Sequence, residues 1–183
     1  MREYIMVFDT ETTGLPLHPS APLEKQPRII EFGAALLSSK DGSIVEEANI
    51  LINPGNLPLD PVITKITGLT DDDLKDAPLI REVWPQIVAL FAKSRGVIAH
   101  NLPFDRSLVK FEMARLDSGE FPWPARELCT VGAFQEVWGR RPKLVELYEW
   151  SIGKPLAQTH RALDDVHALV EIVQKEGVWR DLL

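Results

Sequence analysis

Asp9 and Glu11 stand directly after the apolar run Ile5-Met6-Val7-Phe8, in the stretch "IMVFDTETTG". The run reads as a buried strand. Residues two apart on a strand point the same way, so the two carboxylates share a face. Like charges held that close repel, and withdrawing them from water is costly unless something positive lies between them. A pair of acids at the tip of the most hydrophobic strand therefore asks for a cation.

A third acid is out of place near the C-terminus. In "THRALDDVHALVEIVQK", helical geometry sets Asp164 on one face with His167, Glu171 and Lys175, a polar face. Asp165 falls with Ala162, Leu169 and Ile172, the buried side. A solvated charge run accounts for Asp164 and not for Asp165. His160 lies at the start of this helix and is the more exposed. Asp105, in "HNLPFD", has two readings. It is either a first-turn acid in a helix capped by Asn101, favoured by the helix dipole, or a fourth member of a carboxylate cluster. Mg²⁺ and Mn²⁺ prefer oxygen ligands, and two such ions about 4 Å apart can hold the attacking and leaving oxygens of a phosphodiester. A histidine beside them can take the proton from the attacking water. The residues by themselves point to metal-dependent phosphoryl transfer, provided that three distant segments meet in space.

The elements that must bring them together are legible. Residues 4–10, 28–38 and 43–53 read as strands, the last two joined by the turn "SKDG", and suggest a three-stranded meander. Between the first two lies a proline-rich loop, 13–27, long enough to be functional. A short helix in "LDPVITKITGLT" is closed by Gly68, and Thr70 caps the three acids that follow it. Ile80, Val83, Trp84, Ile87, Val88 and Phe91 mark a helix over about 78–93. Residues 96–101 are a buried strand, "RELCT" is a fifth, and helices are expected at about 103–117, 130–138, 142–152 and 160–176. The fold class is α/β, a central mixed five-stranded sheet flanked by helices, in one domain spanning 1–183.

Composition sets the outer bounds. The 183 residues are 45% hydrophobic and 26% charged, as in a globular protein, and no run approaches a membrane span. Cys129 is the single cysteine, which excludes an internal disulfide and agrees with a reducing compartment. With no secretory signal at the N-terminus, a cytoplasmic location and no membrane contact are expected. The net charge of −7 argues against a protein that coats nucleic acid, and leaves open an enzyme that grips a few nucleotides through cations.

Three motifs in order carry a family resemblance. "FDTETTG" resembles the first motif, Asp-x-Glu, of the DEDD exonuclease superfamily, "HNLPFD" resembles the second, and "HRALDD" is similar to the third motif of the DEDDh branch, with His160 and Asp165 at its matching positions. "RIIEFGAAL", "ITGLTDDDL" and "LVELYEW" extend the likeness over nearly the whole chain. This is the family of proofreading exonucleases that includes the epsilon subunit of bacterial replicative polymerase, RNase T, exonuclease X and oligoribonuclease. The resemblance implies a ribonuclease H-like fold and 3′→5′ hydrolysis releasing nucleoside 5′-monophosphates. It implies that Asp9, Glu11, Asp105 and Asp165 bind two divalent cations, Mg²⁺ or Mn²⁺, with Asp9 bridging, and that His160 is the general base. Thr10, Thr13, Gly14 and Leu15 would hold the 3′-terminal nucleotide by backbone contacts and an apolar wedge. Thr67 stands where many relatives carry histidine, and Asn101 and Phe104 shape the floor.

The expected substrate is a single-stranded 3′ end, of DNA more than RNA. An exoribonuclease with the same mechanism, a polymerase's proofreading subunit and a catalytically idle nucleic-acid-binding module are the alternatives. The chain ends soon after the third motif, without the extension that tethers the epsilon subunit, so a homodimer or a weak polymerase contact is expected in place of a stable one. His18 reads as exposed, His100 as structural and His167 as solvated. Trp84, Trp150 and Phe111 fit core stripes. "FPWP" and Trp138 are open to packing or to contact with a strand. Arg140, Arg141 and Lys143 are either surface charges or a steering patch.

Overall fold

The computed structural model describes residues 3–157 and 159–183. Its centre is a mixed sheet of five strands in the order β3-β2-β1-β4-β5. These are β1 (Tyr4–Thr12), β2 (Ile29–Ser38), β3 (Ile44–Leu51), β4 (Ser94–Ala99) and β5 (Arg126–Cys129). The first three form the expected antiparallel meander, and β4 and β5 add in parallel beside β1. Parallel strands need long crossovers, and α4 (Leu102–Leu116) supplies the one between β4 and β5.

The alternation of β1 divides the core. Met6 and Phe8 pack with Phe32, Phe91, Leu108 and Val109, under α3 (Ile80–Lys93) and α4. Ile5 and Val7 face the other way, onto α5 (Thr130–Trp138), α6 (Leu144–Ile152) and α7 (Ala162–Glu176). At the start of β2, Ile30 joins Leu59, Leu69 and Leu74 in a small cluster. That cluster seats α1 (Pro61–Thr67) and α2 (Asp71–Leu74), the latter held by the expected Thr70 cap, which accepts from the Asp73 amide.

Several boundaries differ from expectation, each for a local reason. β1 runs on to Thr12, because Glu11 and Thr12 still pair with β2 across an irregularity that leaves Ile30 as the extra residue. α3 begins at Ile80, since Pro78 accepts a hydrogen bond from the Asn53 amide and Leu79 bridges to Asn53. α7 begins at Ala162, which leaves His160 outside the helix with φ 50°. Trp150 is not in a core stripe; it is half exposed and packs edge-on against Phe134 and Trp138. Of "FPWP", Trp123 stacks on Phe91 and Phe121 meets the same ring edge-on, so packing is their role. Among the described residues no helix is long and apolar enough to cross a membrane.

Candidate active site

The face-dividing strand explains how the acids meet. Asp9 and Glu11 continue the face of Ile5 and Val7, towards α7, while Thr10 continues the face of Met6 and Phe8, towards α4. α7 reaches the strand closely because Gly33, paired with Asp9 in the ladder, has no side chain: a Cβ there would lie 2.5 Å from the Ala162 carbonyl carbon. Asp165, in the first turn of α7, is buried at this contact. From the opposite face, Asp105 in the first turn of α4 is drawn to the strand tip by Thr10. The Thr10 amide and hydroxyl both donate to Asp105 Oδ1, at 3.1 and 2.8 Å. The four acids thus straddle the C-terminal edge of β1, two from the strand and one from each helical layer.

Glu11, His160 and Asp165 each place a ligand atom within 4.8 Å of the others. Asp9 and Asp105 lie outside that triad but inside the same field. Burial, and then the charges of Asp105, Glu11, Asp165 and Glu31, push Asp9 well above the ordinary carboxylate range. Glu11 is pushed up to about 8, chiefly by burial and then by Asp165, Glu31 and Asp105, against the opposing pull of Arg161. Burial raises Asp105 to about 7, although Thr10's hydrogen bonds favour its charged form. The other oxygen of Asp105, Oδ2, is buried with no hydrogen-bond partner. An orphaned carboxylate oxygen inside a cluster of carboxylates that resist ionisation is the donor set of a site for hard cations, and it fits them.

Beside the acids a cavity of about 500 Å³ is lined by Thr10, Glu11, Thr12, Thr13, Gly14, Leu15, Asp60, Val62, Ile63, Ile66, Thr67 and Phe104. Leu15 and Ile66 are exposed at its rim, an apolar pair in a position to grip a flat ring. The wall at residues 13–15 is tied by an exchange in which the Thr13 amide donates to Arg28 O and the Arg28 amide donates to Thr13 Oγ1, each at 2.9 Å. Thr67 lines the pocket with its hydroxyl already engaged, donating to Ile63 O and accepting from the Leu69 amide.

Asn101 departs from expectation. It sits ahead of α4 with φ 70°, and its side chain caps nothing; Oδ1 accepts from Arg141 Nη2 at 2.7 Å. It lines a second hollow with His100, Arg141, Lys143 and His160, which shares no lining residue with the Leu15 pocket. The basic cluster is divided accordingly. Arg140 is taken up by both oxygens of Glu146 and by the Trp138 ring, whereas Arg141 and Lys143 face this hollow. His100 is structural: it bonds Thr130 Oγ1 at 3.0 Å, and burial pushes it down to about 4. His18 bonds Ser20 on the surface, and His167 pairs with Glu47 on the exposed side of α7.

Sequence reasoning missed Glu31, Gly33 and Arg161, which build the floor beneath Glu11 and the start of α7. A signal was present, because Glu31 interrupts an otherwise apolar strand just as Asp165 interrupts an apolar helix face.

The family model described as "RNase_T: Exonuclease" matches residues 6–173. The PolC-type DNA polymerase III of Caldanaerobacter subterraneus is 35% identical over 172 residues, which cover 93% of this chain and 11% of that relative. The chain spans 7% to 12% of the length of the PolC-type relatives compared. The DNA polymerase III epsilon subunit of Treponema pallidum is 29% identical over 168 residues, covering 90% of this chain and 72% of the relative. Exonuclease X, solved in complex with 5′-overhanging duplex DNA, is similar in structure with a TM-score of 0.65 and 25% identity, over 94% of this chain and 93% of that one. The fold is the ribonuclease H-like sheet of such nucleases, and its edge carries acids and a histidine in DEDDh order. The chain belongs to the RNase T family of exonucleases, whose members use divalent metal ions.

Proposed function

We propose that residues 1–183 form one 3′→5′ exonuclease unit that removes nucleoside 5′-monophosphates from single-stranded ends, of DNA in preference to RNA. The observation that carries this reading is the convergence, on one strand tip, of four carboxylates, a histidine and an adjoining apolar pocket of nucleotide size. The pocket beside the acids would receive the terminal nucleoside, its base between Leu15 and Ile66 and its backbone side against Thr13 and Gly14. Phe104 closes the floor, and Thr10 keeps Asp105 aimed at the edge of the strand.

Two divalent cations, Mg²⁺ or Mn²⁺, held by Asp9, Glu11, Asp105 and Asp165 with Asp9 shared, would neutralise the phosphate and the charge that develops on it. His160, exposed to water and within reach of Glu11 and Asp165, accepts the proton of the attacking water. Water attack at phosphorus displaces the 3′ oxygen of the penultimate nucleotide and leaves the phosphate on the released one. Polymerase components among the relatives and the DNA bound by exonuclease X support DNA as the substrate. They also make a replicative polymerase the partner to test by size exclusion, beside a homodimer.

The test is to incubate end-labelled single-stranded DNA and RNA of matched sequence with Mg²⁺ or Mn²⁺. A ladder shortening from the 3′ end is expected, faster on DNA, and its loss in Asp9→Ala. A full rate in Asp9→Ala would remove the metal assignment; a faster RNA ladder would reverse the preference.

A further inference from the structure

We infer that Glu31 and Arg161 are a positioning pair for His160; the inference rests on His160 being the general base. Arg161 follows His160 directly and gives the Glu31 carboxylate three hydrogen bonds. Nε donates at 3.2 and 3.0 Å to its two oxygens, and Nη2 donates at 2.7 Å to Oε1. Glu31 is wholly buried, and its Oε2 also accepts the Ala162 amide at 3.1 Å. One carboxylate thereby satisfies an arginine fork and an unpaired amide at the start of α7. Two residues along the same strand, Gly33 admits the Ala162 backbone and so lets the start of α7 come within reach of Glu31. On the other flank, Thr159 Oγ1 donates to Asp164 Oδ2 at 2.6 Å.

His160 lies between these two anchors, and two facts show that it needs them. Its φ of 50° is in the left-handed region, which is strained for an L-residue and persists where neighbours impose it. Its ring is exposed, so packing does not set its direction. The backbone does, and the backbone on its C-terminal side is held by Arg161. A bidentate fork also fixes orientation, which a point charge does not. Were the pair present only to stabilise the fold, it would serve α7 equally well without acting on His160.

Removing one partner would strand a buried charge, so the primary variant is the neutral pair Glu31→Gln with Arg161→Gln, which keeps hydrogen-bonding capacity. On the labelled DNA end, kcat is expected to fall about tenfold with KM within about twofold, since a displaced base slows the chemistry and not the binding. In a His160→Ala background the same double change should cost nothing further, because residues that act through one another are not additive. Arg161→Lys, which keeps the charge and loses the fork, is measured in the same way and serves alone if the neutral pair does not fold. Calorimetric titration with Mn²⁺ should show affinity unchanged in Arg161→Lys. Additive losses in the His160→Ala background, or a wild-type kcat in Arg161→Lys, would overturn the pairing. A wild-type chain that produces no ladder would instead overturn the exonuclease reading itself.

Discussion

Two pairs, each built on a buried glutamate and an arginine, hold the two sides of the site, and they hold different things. On the side of His160, Glu31 and Arg161 grip a single turn at the start of α7. On the side of the Leu15 pocket, Glu112 and Arg115, neighbours on α4, grip the long loop that carries Leu15. Arg115 donates to the carbonyls of Leu23, Gln26 and Pro27 as well as to Glu112, and Glu112 accepts the amide of Ile29. The first pair spans β2 and α7, far apart in sequence, and fixes one residue. The second is local in sequence and ties down a loop by its backbone. Burial outweighs pairing in the second: Glu112 is raised and Arg115 lowered, each chiefly by loss of water. On the proposed mechanism the first pair would bear on rate, through His160, and the second on how well the pocket wall is formed.

The sharpest way to separate the two sides is to remove the imidazole of His160. His160→Ala should reduce kcat by about 10²-fold or more while metal affinity is largely kept, since the four acids remain. Loss of cation binding in a calorimetric titration would make His160 a metal ligand and not a separate group. On the other side, Arg115→Gln should raise KM about tenfold with a smaller effect on kcat, and should lower stability by about 3 kcal/mol by leaving Glu112 unpaired. A kcat defect as large as that of His160→Ala would erase the contrast between the pairs.

A third prediction uses the acids themselves. Glu11 and Asp105 have folded pKa values of about 8 and 7, raised from 4.5 and 3.8. The folded state therefore binds their protons more tightly than the unfolded state. Their contribution is fully present below about pH 4 and is lost as pH rises through about 7 to 8. Without divalent cations, Tm should fall by several degrees between pH 5 and pH 8.5, and Mn²⁺ should restore it far more at pH 8.5 than at pH 5. A Tm that rose over this range without cations would show that the carboxylates are not held together as described. The smallest effect is expected at the rim of the pocket, where Leu15→Ala should raise KM by about threefold to tenfold through lost apolar contact. An unchanged KM would remove Leu15 from the pocket's function.

Much of this was legible along the chain because it rests on local periodicity. The alternation of β1 put Asp9 and Glu11 on one face, and the 3.6-residue period of α7 set Asp165 inward and Asp164 outward, as their burial bears out. Five strands, the meander and the helices between them followed from apolar runs and turn residues. Asn101 was misread because its spacing fits a cap, while its left-handed backbone turns the side chain to Arg141, a partner 40 residues away. Thr10 was assigned to substrate, and its hydroxyl is engaged by Asp105 from the opposite layer. Trp150 obeys the helical period and still stays half exposed, since only the edges of Phe134 and Trp138 on α5 reach it.

The sequence by itself determined which residues are costly to bury, and hence that β1 and α7 each carry acids that packing alone does not explain. That follows from side-chain chemistry and from repeats of two and 3.6 residues, which need no knowledge of distant neighbours. Only the tertiary structure decided that β1, α4 and α7 deliver those acids to one edge. It alone paired Glu31 with Arg161, 130 residues apart, and placed glycine where helix and strand must touch. Such contacts depend on how layers pack in three dimensions, and no local period encodes them.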